Sequence, residues 1–362
     1  MSGSTAPVGF DSRDVFGGES GIGTGKLPNW APYALAAGSL ALTILILTVM
    51  DNFSFVRLVI GTALISSLSI YSVSRVVESP RQAKDRLVTV TIVSAFALAM
   101  LPLASLLYTV VDRGVARFDG TFFTESARNV VGAGGGATHA IWGTLIITGV
   151  ATVISVPIGI MAAVYLVEYG KGQRLARYLT FFVDVMTGIP SIVAGLFAYA
   201  LFALIFGPGI RLGVMGSVAL SVLMIPIVIR SAEEMLKIVP DHLREASYAL
   251  GTPKWRTIVK VVLPTALAGM ITGVMLAVAR IIGETAPLLV TAGVIDSTNF
   301  NPFDGRMETL PVYAYFEYKN PGIPQDAAYD RAWAAALTLI AIVLILNLIA
   351  RLFYRRFGTE NR

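Results

Sequence analysis

Long apolar runs separated by short polar links organise most of this chain. Runs long enough to cross roughly 30 Å of hydrocarbon as helix occur at residues 31–50, 55–73, 87–111, 141–167, 178–206, 213–229, 261–283 and 333–350. They predict an all-α polytopic membrane protein with about eight transmembrane helices. Arg57 lies near one end of the second run, where its stem can carry the charge to the interface. Composition agrees with this pattern. The chain has 362 residues, 55% of them hydrophobic and 14% charged, against about 25% charged in a soluble domain. Membrane lipid is therefore the expected solvent for most of the surface.

Charge then sets the expected orientation. The links at 75–86, 168–177 and 230–260 and the tail after Ala350 hold 17 of the 28 Lys and Arg. Positive links stay in the cytoplasm, so both termini are expected to be cytoplasmic, with long outer loops at 112–140 and 284–332. The second outer loop carries Tyr313, Tyr315, Tyr318 and Tyr329, which suit a folded interfacial segment. Trp142 and Trp333 read as interfacial anchors. The net charge of +5 follows this membrane pattern and does not point to nucleic acid.

Several chemistries are excluded or unsupported. The chain has no cysteine and only two histidines, His139 and His242, at no metal-ligand spacing. They read as an interfacial and a loop histidine. Residues 1–29 are rich in Gly and Ser and lack the basic start and short apolar core of a cleavable signal, so they read as a disordered tail. Their "SGIGTGKL" lacks the first Gly and the final Ser or Thr of a phosphate loop.

The most patterned polar stretch is the link from Arg230 to Pro264. After Pro240, Asp241 can cap a helix, with Leu243, Ala246, Ser247 and Leu250 on one face and Arg244, Glu245 and Tyr248 on others. Gly251 sits where a helix end needs the left-handed conformation. Thr252-Pro253 then opens a second helix. Two short helices at an angle make a docking element.

Glu245-Ala246-Ser247, three residues, Gly251, nine residues and Val261-Val262-Leu263-Pro264 resemble the Glu-Ala-Ala loop of bacterial ABC importer permeases. Ser247 and Val261 depart conservatively from it. "GIPSIVAGLF" (188–197), "LREASYALGTPKW" (243–255) and "ARIIGETAPLLVTAG" (279–293) are similar to the PstA-type permease subunits of phosphate-specific importers. The likeness starts near Val88 and runs to the C-terminus. It implies a six-span, MetI-like permease domain over 87–362, with a coupling loop at 230–264. The disordered tail (1–29) and an accessory two-span hairpin with its linker (30–86) would precede it.

The resemblance further implies that Glu245, Ala246, Ser247, Gly251, Leu263 and Pro264 couple the chain to an ATPase in a bacterial cytoplasmic membrane. The expected partners are a PstC-like permease forming a heterodimer, two PstB-like ATPases, a PstS-like extracytoplasmic binding protein and inorganic phosphate. This chain has no Walker motif. ATP and Mg would therefore be used by a separate subunit, and this chain would be a permease with no bound cofactor, not an enzyme. Alternatives are a permease for another oxyanion, such as sulfate or molybdate, and a secondary transporter, which would need no docking loop.

Charges inside the apolar runs mark a possible route. Arg280 and Glu284 are expected one turn apart on one helix face, and Asp184 precedes Gly188 and Pro190. An ionised group facing lipid costs about 2.5–3.5 kcal/mol or more, so these residues are expected to face partners or a watery path. Arg280 offers phosphate a planar fork of donors, and Glu284 would position it; a purely structural ion pair is the competing reading. Asp184 is expected to pair with a basic group, Arg280 or one from a partner permease. Gly188 to Ser191 should kink its span.

Overall fold

The computed structural model describes residues 26–357 except 29, 52 and 131, with side chains to Leu352. Of the predicted disordered tail, residues 1–25 and 29, with the start of "SGIGTGKL", lie outside the described residues. Among those residues all regular structure is helical. Seven helices are long and apolar enough to cross a membrane, and a bent pair makes an eighth if counted as one span. The described residues form two compact units, divided between Leu107 and Tyr108.

The first unit contains α1 (Ala31–Val49), α2 (Phe55–Val77) and the start of α3 (Pro80–Gly114). Its polarity is inverted relative to a soluble protein. Ser39, Thr43, Ser66 and Ser74 are buried, while Leu40, Leu45, Leu64 and Leu68 are exposed. Lipid is as apolar as leucine, so helices associate through small and hydroxylated residues that allow close approach. Ser39 Oγ lies 3.3 Å from Ser69 Oγ. Beyond α2, Glu78 accepts a two-pronged contact from Arg86 at 2.7 Å on each oxygen, one from Ser74 Oγ at 2.6 Å and one from the Leu27 N–H at 2.9 Å. Arg86 foremost, with Ser74 and Leu27, holds this carboxyl down at about 2 against the upward push of burial.

After the short α4 (Gly120–Thr124), the second unit is built on α5 (Thr138–Val164), α8 (Gly213–Ile238) and α11 (Leu263–Ile281). Its central core joins Ile147 and Ala151 of α5, Leu220, Met224 and Val228 of α8, and Ala277 and Ile281 of α11. Glycines set the helix separations. A Cβ on Gly159 would lie 2.6 Å from Val228, on Gly269 1.9 Å from Met235 Sδ, and on Gly273 1.6 Å from Ser231 Oγ.

The predicted span at 178–206 is not one rod. It is α6 (Arg174–Thr187) and α7 (Ser191–Phe206), bent by 109°. Pro190 has no N–H and pushes Ile189 out of the helical region, so the backbone ladder ends with the Ile189 N–H on the Met186 carbonyl at 3.3 Å. The expected kink is therefore a full corner. Other predicted runs are cores of longer helices: 333–350 lies within α14 (Gln325–Phe357), separated from α11 by the short α12 (Ala286–Thr291) and α13 (Leu310–Lys319).

At the end of α5 remote from the link 165–174, the chain folds back over the helix start. His139, expected at an interface, is 2% exposed, because α13 and the loop before it cover it. Its Nε2 lies 3.5 Å from Glu308 Oε2, and its ring meets Tyr313 edge-on at 5.2 Å. Burial, chiefly, raises the Glu308 carboxyl above its ordinary range. The tyrosine segment is folded as expected: Tyr318 packs on Tyr329 and Trp333. Trp333, expected as an interfacial anchor, has its indole nitrogen buried within this packing.

The fold-back depends on Gly143. A Cβ there would lie 1.9 Å from the Glu308 carbonyl oxygen, and next to it Thr144 Oγ1 accepts the Leu310 N–H at 2.8 Å. Gly149, two turns on, has open space around it. Gly143→Ala is expected to lower stability by about 1–3 kcal/mol through forced displacement of the loop. Gly149→Ala should raise it by about 0.5–1 kcal/mol through helix propensity. Thermal melts of the two purified variants check the contrast; equal shifts would mean that the loop does not rest on α5.

Candidate coupling surface and substrate path

The platform after α8 is folded as two helices, α9 (Asp241–Ala249) and α10 (Lys254–Thr257). Gly251 between them has φ of +74°, the left-handed conformation that glycine adopts without steric cost. The capping details differ from the sequence expectation. Asp241 is the first helical residue, and its carboxylate meets Arg244 at 3.1 Å. Thr252 Oγ1 donates back to the Ser247 carbonyl at 2.5 Å, so Pro253 takes the cap position.

Arg244 is the main departure. Expected on a different face from Leu243 and Ser247, it is 9% exposed and turned toward the ends of α5 and α8. Its Nη2 donates to Glu168 Oε1 at 2.8 Å and to the Leu236 carbonyl at 3.0 Å. Its Nη1 donates to the Val239 carbonyl at 2.6 Å. Glu168 lies on a wide turn, Tyr165–Tyr169, that continues α5. Lys254 Nζ adds a bond to the Glu168 carbonyl and stands 4.8 Å from the centre of the Tyr169 ring. One guanidinium thus satisfies the open carbonyl end of α8 and pairs with a carboxylate at the end of α5. The cue for Glu168 was thin: it is the first charge after the long apolar run at 141–167.

The inner face of α9 is Leu243, Arg244 and Ser247. Ser247 Oγ lies 2.8 Å from Thr257 Oγ1 and 3.1 Å from Thr252 Oγ1, which binds the two short helices together. Glu245, Ala246, Tyr248, Leu250 and Trp255 are exposed, Leu250 to 87%. Ala246 and Leu250 therefore separate from Leu243 and Ser247, with which they were expected to share one face. Pro264 is exposed and Leu263 half-buried at the start of α11.

The three membrane charges are not brought together. Asp184 pairs with Arg230 of α8, not with Arg280. Arg230 also meets Glu233 at 2.8 Å, and Glu233 meets Lys237 at 2.7 Å. Arg280 is exposed near the end of α11, while Glu284 lies beyond that helix in the turn before α12, half-buried. Helix α11 stops at Ile281, so the expected one-turn register is lost and the two side chains form no ion pair. A groove between α11 and α14, about 880 Å³ in volume, is lined by Thr272, Met275 and Ala279 together with Asn347 and Arg351. It reaches the residue before Arg280.

A bundle of apolar helices with a rigid two-helix platform at one end has the architecture of a transport permease. Residues 155–359 match the family of binding-protein-dependent transport system inner membrane components. The chain is 46% identical over 285 residues to phosphate transport system permease protein PstA 1 of Mycobacterium tuberculosis (strain CDC 1551 / Oshkosh), covering 78% of this chain and 91% of that one. It is 47% identical over 295 residues to PstA of Mycobacterium leprae (80% and 94%) and 40% identical over 278 residues to PstA of Yersinia pestis (76% and 92%). Two solved structures share the fold. One is an inward-facing MetNI methionine ABC transporter (TM-score 0.51, 23% identity, 61% of this chain and 96% of that one). The other is a bacterial ABC transporter involved in alginate import (0.50, 15%, 76% and 97%). The chain belongs to the PstA family of phosphate transport system permease proteins, multi-pass membrane subunits of ABC transporters.

Removing one member of the Arg244–Glu168 pair leaves the other charge buried, at a cost of about 3–5 kcal/mol. Arg244→Met and Glu168→Gln should each lower the melting temperature markedly, and the double variant should lose less than the sum. A double-mutant cycle on the purified protein reads this coupling; additive losses would show that the pair does not anchor the platform.

Proposed function

We infer that this chain is the membrane subunit through which inorganic phosphate enters the cytoplasm, driven by ATP hydrolysed on separate subunits. The observation that carries the reading is the combination of 46% identity across nine-tenths of a PstA relative with the folded platform. Glu245, Ala246, Tyr248 and Trp255 present an exposed surface on a body locked to α5 and α8. Such a body transmits a push, whereas a flexible link absorbs it. The proposed assembly pairs this chain with a PstC-like permease above two PstB-like ATPases that use ATP and Mg, with a PstS-like binding protein on the outer side. The platform and both termini are then cytoplasmic, and the chain itself is not an enzyme. The hairpin before residue 87 serves as an accessory to the permease domain that follows.

Glu245, Ala246 and Gly251 shape the ATPase-facing side, with Ser247 fixing the angle between α9 and α10 from within. Leu263 and Pro264 root the platform in α11. Glu245→Lys and Gly251→Pro should leave membrane insertion intact, weaken ATPase association and abolish ATP-dependent phosphate uptake in vesicles holding the assembled complex. Gly251→Ala should cost about 1 kcal/mol and reduce uptake less. Full uptake in the first two variants would overturn the coupling role.

Arg280 is the proposed phosphate contact. It is exposed beside the α11–α14 groove and has no carboxylate within salt-bridge reach among the described residues. Glu284 lies beyond it as a separate polar group on the route, while Asp184 holds α6 to α8 through Arg230. Arg280→Gln should lower uptake at least tenfold at unchanged complex yield. Lysine should restore part, since it supplies charge without the planar fork. If uptake merely follows yield in both variants, the contact is structural.

A further inference from the structure

The stems of two arginines meet at the end of the second unit opposite the platform. Arg211 lies in the link before α8, and Arg306 in the loop between α12 and α13. The 26 residues of α8 separate Arg211 from the platform by about 39 Å at the rise of a helix. Both arginine stems converge on Gly293. A Cβ at this position would lie 3.0 Å from Arg211 Cδ, 3.3 Å from Arg211 Nη1 and 3.5 Å from Arg306 Cδ. Gly293 has φ of +77° and closes the turn after α12, its N–H bonded to the Leu288 carbonyl at 3.0 Å. The missing side chain is what admits both stems.

The convergence is held by the backbone around it. The Val214 N–H donates to the Pro302 carbonyl at 2.7 Å, and the Met307 N–H to the Ala292 carbonyl at 3.2 Å. Asn299 Nδ2 donates to the Asp304 and Arg306 carbonyls at 2.6 and 2.9 Å. The loop is thus pinned to the start of α8 and the end of α12.

The two arginines are not engaged in ion pairs: among the described residues, neither has a carboxylate within 4.0 Å. Asp304 is exposed on the same loop and pairs with neither. Asp296 lies close enough to Glu308 and Glu317 to push their carboxyls up, adding to the larger effect of burial. Arg211 spends Nη1 on the Leu289 carbonyl at 3.0 Å, leaving Nε and Nη2 free to donate, and the Arg306 side chain makes no hydrogen bond among the described residues. Like charges whose stems converge on one glycine repel, and an anion bound by both would offset that repulsion. A tetrahedral oxyanion matches paired guanidinium forks, each able to bind two of its oxygens.

On the phosphate reading given above, we propose that Arg211 and Arg306 form an outer receiving site for the oxyanion before it reaches Arg280. The two places are linked through α12: Gly293 follows it closely, Glu284 precedes it, and its six residues span about 9 Å. Helix α12 is itself fixed between α7 and α8, where a Cβ on Gly195 would meet Pro287 and one on Gly216 would meet Leu288. An anion released at the outer end thus meets a fixed pair of charges one short helix away from the next.

The test uses the complete complex in vesicles with phosphate-loaded binding protein at saturating concentration. Arg306→Gln, the cleaner variant because that side chain makes no hydrogen bond or ion pair among the described residues, should lower the maximal uptake rate about tenfold, and the Arg211→Gln/Arg306→Gln double variant more. Affinity of the loaded binding protein for the complex, measured in parallel, should not change. The double lysine variant should recover only part of the rate, since it supplies charge without the planar forks. Wild-type rates in Arg306→Gln and the double glutamine variant would overturn the receiving site. So would a loss fully explained by weaker docking, which would assign the arginines to carboxylates on the binding protein. If the wild-type complex itself takes up no phosphate, the functional reading fails, independently of the variants.

Discussion

The platform depends on one guanidinium. Arg244 is nearly buried, and its donors reach a carboxylate at the end of α5, two carbonyls at the end of α8 and the first residue of its own helix. An arginine taken out of water is tolerable only when such partners replace the lost hydration. The same partners make α9 part of the membrane bundle's end. Lys254 then ties α10 to the end of α5, and the Ser247–Thr257 contact ties it to α9. Remove this hub, and a polar segment on the surface has no reason to keep one orientation.

Much of the architecture was legible because the bilayer simplifies the problem. Spans follow from length and apolarity alone, and the platform's punctuation by Pro240, Gly251 and Pro253 set its helices in place. What periodicity could not supply was direction. It grouped Ala246 and Leu250 with Leu243 and Ser247 by apolarity, whereas the inner neighbours of α9 include the Glu168 carboxylate and bare carbonyls, which favour an arginine. A polar partner 76 residues away leaves no local signal. The corner at Gly188–Pro190 was visible as a break, but its 109° angle is set by what α6 and α7 pack against. The register of Arg280 and Glu284 failed for a simpler reason: the apolar run outlasted the helix.

The two ends of the second unit use polar chemistry differently. At the platform end, buried charge is paired and hydrogen-bonded, and it ties elements together. At the far end, His139 and Glu308 are shut under α13, while Arg211 and Arg306 stand over Gly293 without a counter-charge. Between them lies an apolar core of α5, α8, α11 and α12, with Arg280 at its margin. Among the described residues, Arg280 and Arg306, which have no carboxylate within salt-bridge reach, are both exposed.

The glycine contacts differ in how a sequence could repair them. Gly269 and Gly273 face the side chains of Met235 and Ser231, so an enlargement on α11 has a remedy in a shorter residue on α8. The seam between the two helices that carry the platform can therefore drift through paired changes. Gly143 faces the carbonyl oxygen of Glu308, an atom that every residue type brings to that position. No replacement at 308 removes it. Position 143 is thus closed to compensation by its contacting residue, and the outer fold-back is held by a constraint that a lineage can keep or lose but not trade.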